Sequence, residues 1–186
     1  MDEEAIRAAT IGELTPYQTK VVIEDYNPAW PAWFTWDRAK IEAALGATAL
    51  SVEHVGSTSV PDLPAKPIID ILLQVEDSAD EASYVPPLEA AGFTLRIREP
   101  EWLEHRMLQR RSEPHNVNLH VFSPRHAAAE IRRKLAFRDW LRTHEDDRDH
   151  YGATKRELST REWRYVQDYA DAKTTVITEI LTKALP

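Results

Sequence analysis

Residues 54–72, HVGSTSVPDLPAKPIIDIL, carry the spacing most suggestive of chemistry. A strand end runs into a turn of small hydroxyl residues, a lysine follows, and a second strand holds one carboxylate. Backbone N–H groups at a glycine-serine turn that opens a helix make an anion site, and Ser57, Thr58 and Ser59 beside Gly56 add hydroxyl donors. Asp70, thirteen positions after Ser57, would stand on the neighbouring strand and could hold a divalent cation, Mg2+ or Mn2+, against phosphate oxygens. The same pattern has a plain structural reading, since Gly-Ser-Thr is a common turn and a strand aspartate can simply cap a loop.

A second constellation is rich in histidine: His54 before the glycine turn, His105 in WLEHRM, and His115, Asn118 and His120 in PHNVNLH. Asn118 and His120 are two apart, so on a strand they share one face while Leu119 and Val121 point to the other. That polar face needs a satisfying partner, whether water, a ligand or a metal. His105 and Arg106 are adjacent, so only one of them can look the same way as His120 across a strand pair. His120 is the best acid–base candidate, because an imidazole of ordinary pKa about 6.5 works in either direction near neutrality; ligation of a metal with Asp70 is its other reading. No pair shows the close spacing of a structural zinc site, and His126, His144 and His150 read as structural groups near helix ends.

These residues need elements to place them. VVIEDY after Lys20 reads as a short strand, and Pro31 sits where a first helical turn tolerates it. Trp33, Phe34, Trp36, Ala39, Ile41, Ala44 and Leu45 then make a helix face that ends at Gly46. ALSVEHV is a strand, and IIDILLQV is an almost unbroken apolar run of strand length, hence a buried strand in which Asp70 is the anomaly. A helix over 84–91 and a strand FTLRIR follow, then WLEHRMLQR and VNLHVF as a hairpin across RSEPHN. Ser123 and Pro124 open a helix over 126–143, and a last helix is expected over 159–181. The fold class is α+β, α/β-like in its alternation: a mixed sheet flanked by helices, with a helical C-terminal segment. Residues 1–19 read as a loosely held arm and 20–186 as one domain.

Composition limits the function. The chain has 186 residues and no cysteine, which removes disulfides, thiolate metal sites and a cysteine nucleophile and favours the cytoplasm. No apolar run approaches the ~20 residues that cross a bilayer. A net charge of −8 argues against an extended nucleic-acid groove. Charge is uneven, however: residues 1–95 balance at −11 and residues 96–142 at +5, which fits a focused site for a phosphorylated small molecule, or for one end of an RNA, better than a long groove. Arg132, Arg133, Lys134, Arg138 and Arg142 of that basic segment also read as a solvated helix face.

The run EHVGSTSVPDLPAKPIIDIL, with DYNPAWP before it and WLEHRM, NLHVF, KLAFRDWLRTH and a Y-x-x-x-K pair (Tyr151, Lys155) after it, resembles the GrpB-like family over about residues 20–181. That family looks like a branch of the nucleotidyltransferase fold superfamily, and a similar domain occurs fused to dephospho-CoA kinase. The resemblance implies Gly56 and Ser57 at phosphate and Asp70 as a metal-binding carboxylate. The chain departs from the superfamily at position 72, where a second carboxylate is usual and Leu72 stands, and on the Asn118–His120 strand, which offers an amide and an imidazole where a third acid is plausible. Lys66 and Arg106 could then supply the positive charge that metal supplies elsewhere. The leading expectation is a nucleotidyltransferase-like enzyme acting on a nucleotide or other phosphorylated small molecule, with Asp70, His120 and Lys66 catalytic. His54, Gly56, Ser57, Thr58, Ser59, His105, Arg106 and Asn118 would line its pocket. The alternatives are an accessory module that kept the ligand site without the chemistry, and, by resemblance to fungal cyclic-dipeptide-forming proteins, a transferase that takes the end of a charged tRNA.

Overall fold

The computed structural model describes residues 3–12 and 21–185, apart from the side chains of Val166 and Gln167. Five strands, β1 (Ser51–Val55), β2 (Ile68–Gln74), β3 (Thr94–Glu99), β4 (His105–Ser112) and β5 (His115–Phe122), form one sheet in the order β1-β2-β5-β4-β3. Only β2 and β5 run parallel; the other pairs are antiparallel. The architecture is α+β, a mixed sheet with helices on both faces and a helical C-terminal segment.

The apolar run of β2 explains its interior place. Ile69, Ile71 and Leu73 go to one face and meet α2 (Trp30–Leu45) and α3 (Val85–Ala90) through Trp30, Ile41, Tyr84 and Leu88, all fully buried. Leu72 goes to the other face and joins Phe122, Ala127 and Ile131 beneath α4 (Pro124–Thr143). Leu141, Tyr151, Val176 and Ile180 tie α4, α5 (Glu145–Ser159) and α7 (Thr174–Ala184) to Val60 and Leu63, just past the glycine corner. Across the first face, Asp37 of α2 accepts from Arg110 Nη2 and pairs with His115 Nε2, each at 2.6 Å, so His115 belongs to a buried ionic clamp rather than to the polar strand face.

Several elements differ from the sequence expectation. The strand expected from Lys20 reduces to one bridge between Glu24 and Ala65, because Pro64 and Pro67 flank the partner and proline lacks the N–H a longer ladder needs. WLEHRM does not enter its strand until His105, since Leu103 and Glu104 turn through positive φ of 58° and 53°. The single helix expected over 159–181 is two, α6 (Val166–Asp171) and α7, which follow after α5 ends at Ser159. α5 itself was not expected, because its inward side consists of Tyr151, Gly152, Lys155 and Leu158, too sparse an apolar stripe to announce a helix. Its acidic first turn, Glu145 to Asp147, favours the positive end of the helix dipole. Within the arm read over 1–19, α1 (Glu3–Ala9) is helical and Thr10 bridges to Ile97; residues 13–20 lie outside the described residues. No described helix is long and apolar enough to cross a membrane.

Ile71 is fully buried at the centre of the larger core. Ile71→Ala is expected to cost about 2–5 kcal/mol of stability, read as a lower urea midpoint with an unchanged slope.

Candidate functional site

β1 ends at Val55 and the chain turns at Gly56, whose φ of +69° favours glycine. The corner is tight for a second reason: a Cβ at Gly56 would lie 2.5 Å from Asp70 Oδ2. A single turn of 3₁₀ helix, Ser57–Ser59, follows, closed by Ser59 Oγ donating to the Gly56 carbonyl at 2.6 Å. Asp70 pairs with Val55 on one side and Asn118 on the other, so the glycine corner and the amide face the same carboxylate. Asn118 Nδ2 donates to Asp70 Oδ1 at 2.9 Å, and Asn118 Oδ1 accepts from Arg111 Nη2 at 2.8 Å. His120 Nε2 stands 3.9 Å from Asp70 Oδ1. The Asp70 side chain is recessed yet 31% exposed, so solvent reaches it.

Cations surround this carboxylate. Lys66, Lys134 and Lys173 all lower the Asp70 pKa, as does the Asn118 hydrogen bond, but burial outweighs them and holds the carboxyl above its ordinary value. Arg111 is within electrostatic reach of the same group. Lys66 is pushed down to about 8 by burial and by repulsion from Lys173, and burial pushes Lys173 to about 8 as well. Both ammonium groups lie over the ring of Tyr169, at 5.6 and 4.6 Å, where the negative ring face offers partial compensation. Lys134 reaches in from α4, lowered by burial and paired with Glu130 at 3.5 Å. Among the described residues, one carboxylate thus faces several cations, of which Lys134 alone has a further acidic partner, Glu130, which it shares with Arg133, and the surplus favours a ligand of multiple negative charge.

The corner is held from beneath by α5. Tyr151 and Lys155, one helical turn apart, reach the same hydroxyl: Lys155 Nζ donates to Ser57 Oγ at 2.8 Å and to the Pro64 carbonyl, and Tyr151 hydrogen-bonds Ser57. Burial, with Lys173 and Arg156 nearby, pushes the Lys155 amine well below its ordinary value, and burial pushes Tyr151 up to about 12.

The structure brings together Gly56, Ser57, Lys66, Asp70, Asn118 and His120, and it places His105 behind His120 at 3.1 Å. Four sequence-predicted pocket residues do not present their side chains there. His54 lies on the opposite sheet face, opposite Ile71, stacked on Phe34 at 4.7 Å and pushed down to about 3 by burial. Thr58 is buried between His54 Nε2, at 3.0 Å, and the Ile68 carbonyl. Ser59 closes its own turn, and its carbonyl accepts from Arg142. Arg106 points to the far face, where Glu81 accepts from it at 2.6 Å; strand alternation assigned that face to it once His105 took the near one.

Mg2+ and Mn2+ favour several oxygen ligands, and the donor set does not match this. Asp70 is the site's one carboxylate, Leu72 in the second position is fully buried, and the described residues contain no cluster of three or more His, Cys, Asp or Glu able to hold an ion. Two surface clefts, of about 560 and 440 Å3, lie beside the corner, lined in part by Pro64 and Gly152 and by His54 and Ser59, and neither includes Asp70. The residues that sequence reasoning missed are Arg111, Lys134 and Lys173. Lys134 was legible only as part of a charged helix face, although its neighbours Arg133 and Arg138 are satisfied elsewhere, by Glu130 and Glu53.

A mixed five-stranded sheet with a glycine corner against a strand carboxylate, and amines converging on both, defines an α+β class of domain. The chain belongs to the GrpB family, whose profile, described as GrpB protein, matches residues 20–183. It is 52% identical to a UPF0157 protein of Halalkalibacterium halodurans, over 98% of this chain and 91% of that one, and 41% identical to a UPF0157 protein of Streptomyces coelicolor, over 91% and 87%. A dephospho-CoA kinase of Mycolicibacterium paratuberculosis is 31% identical over 73% of this chain, which corresponds to 39% of the kinase. The crystal structure of conserved protein GrpB from Enterococcus faecalis superposes with a TM-score of 0.76 at 31% identity, covering 88% of this chain and 97% of that one. Cid1 poly(U) polymerase matches at a TM-score of 0.44 and 11% identity over 72% of this chain and 44% of its own, too remote to assign an activity.

Gly56→Ala forces a non-glycine residue to positive φ and drives its Cβ onto Asp70. A loss of about 1–3 kcal/mol in urea titration is expected. In an Asp70→Ala background the cost should shrink by about half, the conformational share remaining; an unchanged cost would show that the carboxylate is not what the methyl meets.

Proposed function

We propose that the protein binds a phosphorylated small molecule, a nucleotide being the best chemical match, and transfers a nucleotidyl or related phosphoryl group from it. The observation that carries this reading is the convergence of Lys66, Lys134, Lys173 and Arg111 on one carboxylate beside the glycine-serine corner. Amines held partly discharged by burial regain full charge when an anion enters, so binding energy is available for an anion and for little else. Asp70 then orders the amines and the Asn118 amide around the phosphate rather than anchoring a resident ion, and a divalent cation enters, if at all, with the phosphates of the nucleotide. A small ligand is favoured over an RNA because the arginines of the basic segment are largely taken up internally: Arg98 and Arg106 by Glu81, Arg110 by Asp37, Arg133 by Glu130 and Arg138 by Glu53.

A second reading, a ligand-binding module without transfer chemistry, rests on the buried Leu72 in the place of a second acid. The two separate on turnover: a bound nucleotide recovered intact after prolonged incubation favours the module, and turnover abolished by Asp70→Ala favours the enzyme.

Calorimetric titration with ATP, CTP, GTP and UTP, each with and without Mg2+ or Mn2+, is expected to give heat for at least one nucleotide, and no heat for any overturns the reading. Lys66→Met and Lys173→Met should each weaken binding by about tenfold or more, the scale of a lost charge-assisted hydrogen bond.

The pH dependence follows from the same lysines. Both carry their proton below about 8 and lose it above, and an anion binds the protonated form. Affinity is therefore expected to fall as pH rises from 7 to 9, and the Lys66→Met/Lys173→Met double variant should flatten the profile. A wild-type affinity independent of pH over that range would remove these amines from the site.

A further inference from the structure

On the same sheet face, a chain of acidic and imidazole groups runs from the end of β3 to Asp70. Glu99 and His105 are opposite each other where β3 and β4 pair, with Glu99 Oε2 2.6 Å from His105 Nδ1. His105 Nε2 is 3.1 Å from His120 Nδ1, and His120 Nε2 faces Asp70 Oδ1 across 3.9 Å. The rings are fixed by packing. His105 is stacked on His120 at 5.3 Å and 19° and on Phe122 at 4.6 Å and 24°, with Trp102 edge-on at 5.1 Å.

The contacts determine where the protons sit. An ionised carboxylate only accepts, so His105 Nδ1 carries a hydrogen and donates to Glu99. Burial lowers the His105 pKa against the pull of Glu99, which leaves that ring one N–H and a bare Nε2. His120 must then donate from Nδ1. Burial, with Lys134 from α4 and His105 from β4 facing it, keeps His120 neutral, so its Nε2 presents a lone pair toward Asp70. Asp70 Oδ1 is itself an acceptor, already receiving the Asn118 amide. A group with two hydrogens, such as an amine, bridges two acceptors 3.9 Å apart from about 2.9 Å of each, whereas a hydroxyl gives its single hydrogen to His120 Nε2.

We propose that the space between His120 Nε2 and Asp70 Oδ1 seats the hydroxyl or amine of an acceptor substrate, that His120 takes its proton, and that Glu99 and His105 are the positioning residues that set His120 for this task. The proposal rests on the phosphoryl-donor reading of the adjacent lysine site. In the step itself the acceptor O–H or N–H gives its proton to Nε2, and the freed electron pair forms the bond to phosphorus. The phosphorus–oxygen bond to the leaving phosphate or pyrophosphate breaks with its electrons on the leaving oxygen, beside the lysines. The imidazolium charge is spread through the Nδ1–H of His120 to His105 and through the Nδ1–H of His105 to Glu99, an arrangement with the logic of a carboxylate-oriented catalytic base.

The test reads tautomers directly, by long-range proton–nitrogen NMR of the nitrogen-labelled full chain without nucleotide. Wild type is expected to show His120 protonated at Nδ1 and bare at Nε2. His105→Phe keeps an aromatic ring in the stack and removes the relay, and Glu99→Ala removes its end; each should move His120 toward the Nε2–H form. A wild-type His120 protonated at Nε2, or a tautomer unmoved by both variants, overturns the relay. Ethanolamine, which carries both classes of donor, should shift the Nε2 resonance in wild type and not in Asp70→Ala; no shift up to molar concentration overturns the seat. Because these signals need no nucleotide, a protein that shows them yet gives no calorimetric heat refutes the phosphoryl-donor reading, together with the transfer step, while the relay and seat stand.

Discussion

The charge around Asp70 is not balanced by the described residues, and much of the surrounding fold serves to keep it so. Two unit charges about 5 Å apart interact by roughly 3 kcal/mol at an effective dielectric of 20, so three lysines and an arginine converging on one acid cannot all stay fully charged at no cost. The molecule answers by letting Lys66 and Lys173 fall to about 8 and by laying both over one face-presenting tyrosine, Tyr169. On the proposed reading an entering polyanion would reverse that discharge, so the cost of the free site and a preference for anions would have one physical origin.

Each layer contributes one member of this arrangement. The parallel pairing of β2 with β5 puts Asn118 beside Asp70, and β1 turns at the residue that lets its backbone touch the carboxylate. Lys134 descends from α4 and Lys173 stands at the start of α7. Tyr169 of α6 lies between Lys173 and Lys66 of the β1–β2 connection. The C-terminal helices, remote in sequence, thus complete the site, and α5 fixes Ser57 through a tyrosine and a lysine one turn apart.

What could be read from the chain alone follows the range over which each signal acts. The apolar run of β2 with its single acid, the glycine corner and the shared face of Asn118 and His120 are local patterns, and each is present. His54 and Arg106 fail for the same reason that Asn118 and His120 succeed: alternation sends neighbours to opposite faces, and their registers, opposite Ile71 and Val121, place them on the core side. Lys134 and Lys173 carry no local mark that separates them from solvated lysines, because what distinguishes them is a carboxylate on β2, many elements earlier in the chain. α5 was hidden by composition, its inward positions being filled with a glycine and a lysine where periodicity looks for leucine.

The lone acid also explains why the histidine chain stands where it does. With two or three carboxylates on adjacent strands, metal ions can both neutralise phosphate and lower the pKa of an attacking hydroxyl. Here Leu72 is sealed in the core beneath α4, and on the proposed reading those two tasks would fall on different residues. The amines on one side of Asp70 would meet the phosphate charge, and the imidazole on the other side, aligned by a second imidazole and Glu99, would meet the proton. A carboxylate flanked in this way stands between the two halves: Asn118 holds Oδ1 on the His120 side, and Oδ2 rests against Gly56 at the glycine-serine corner. Replacing the acid by its amide would keep the shape and still disturb one side or the other, since the amide nitrogen, whichever position it takes, turns an acceptor into a donor there, and the charge shared by both sides is lost.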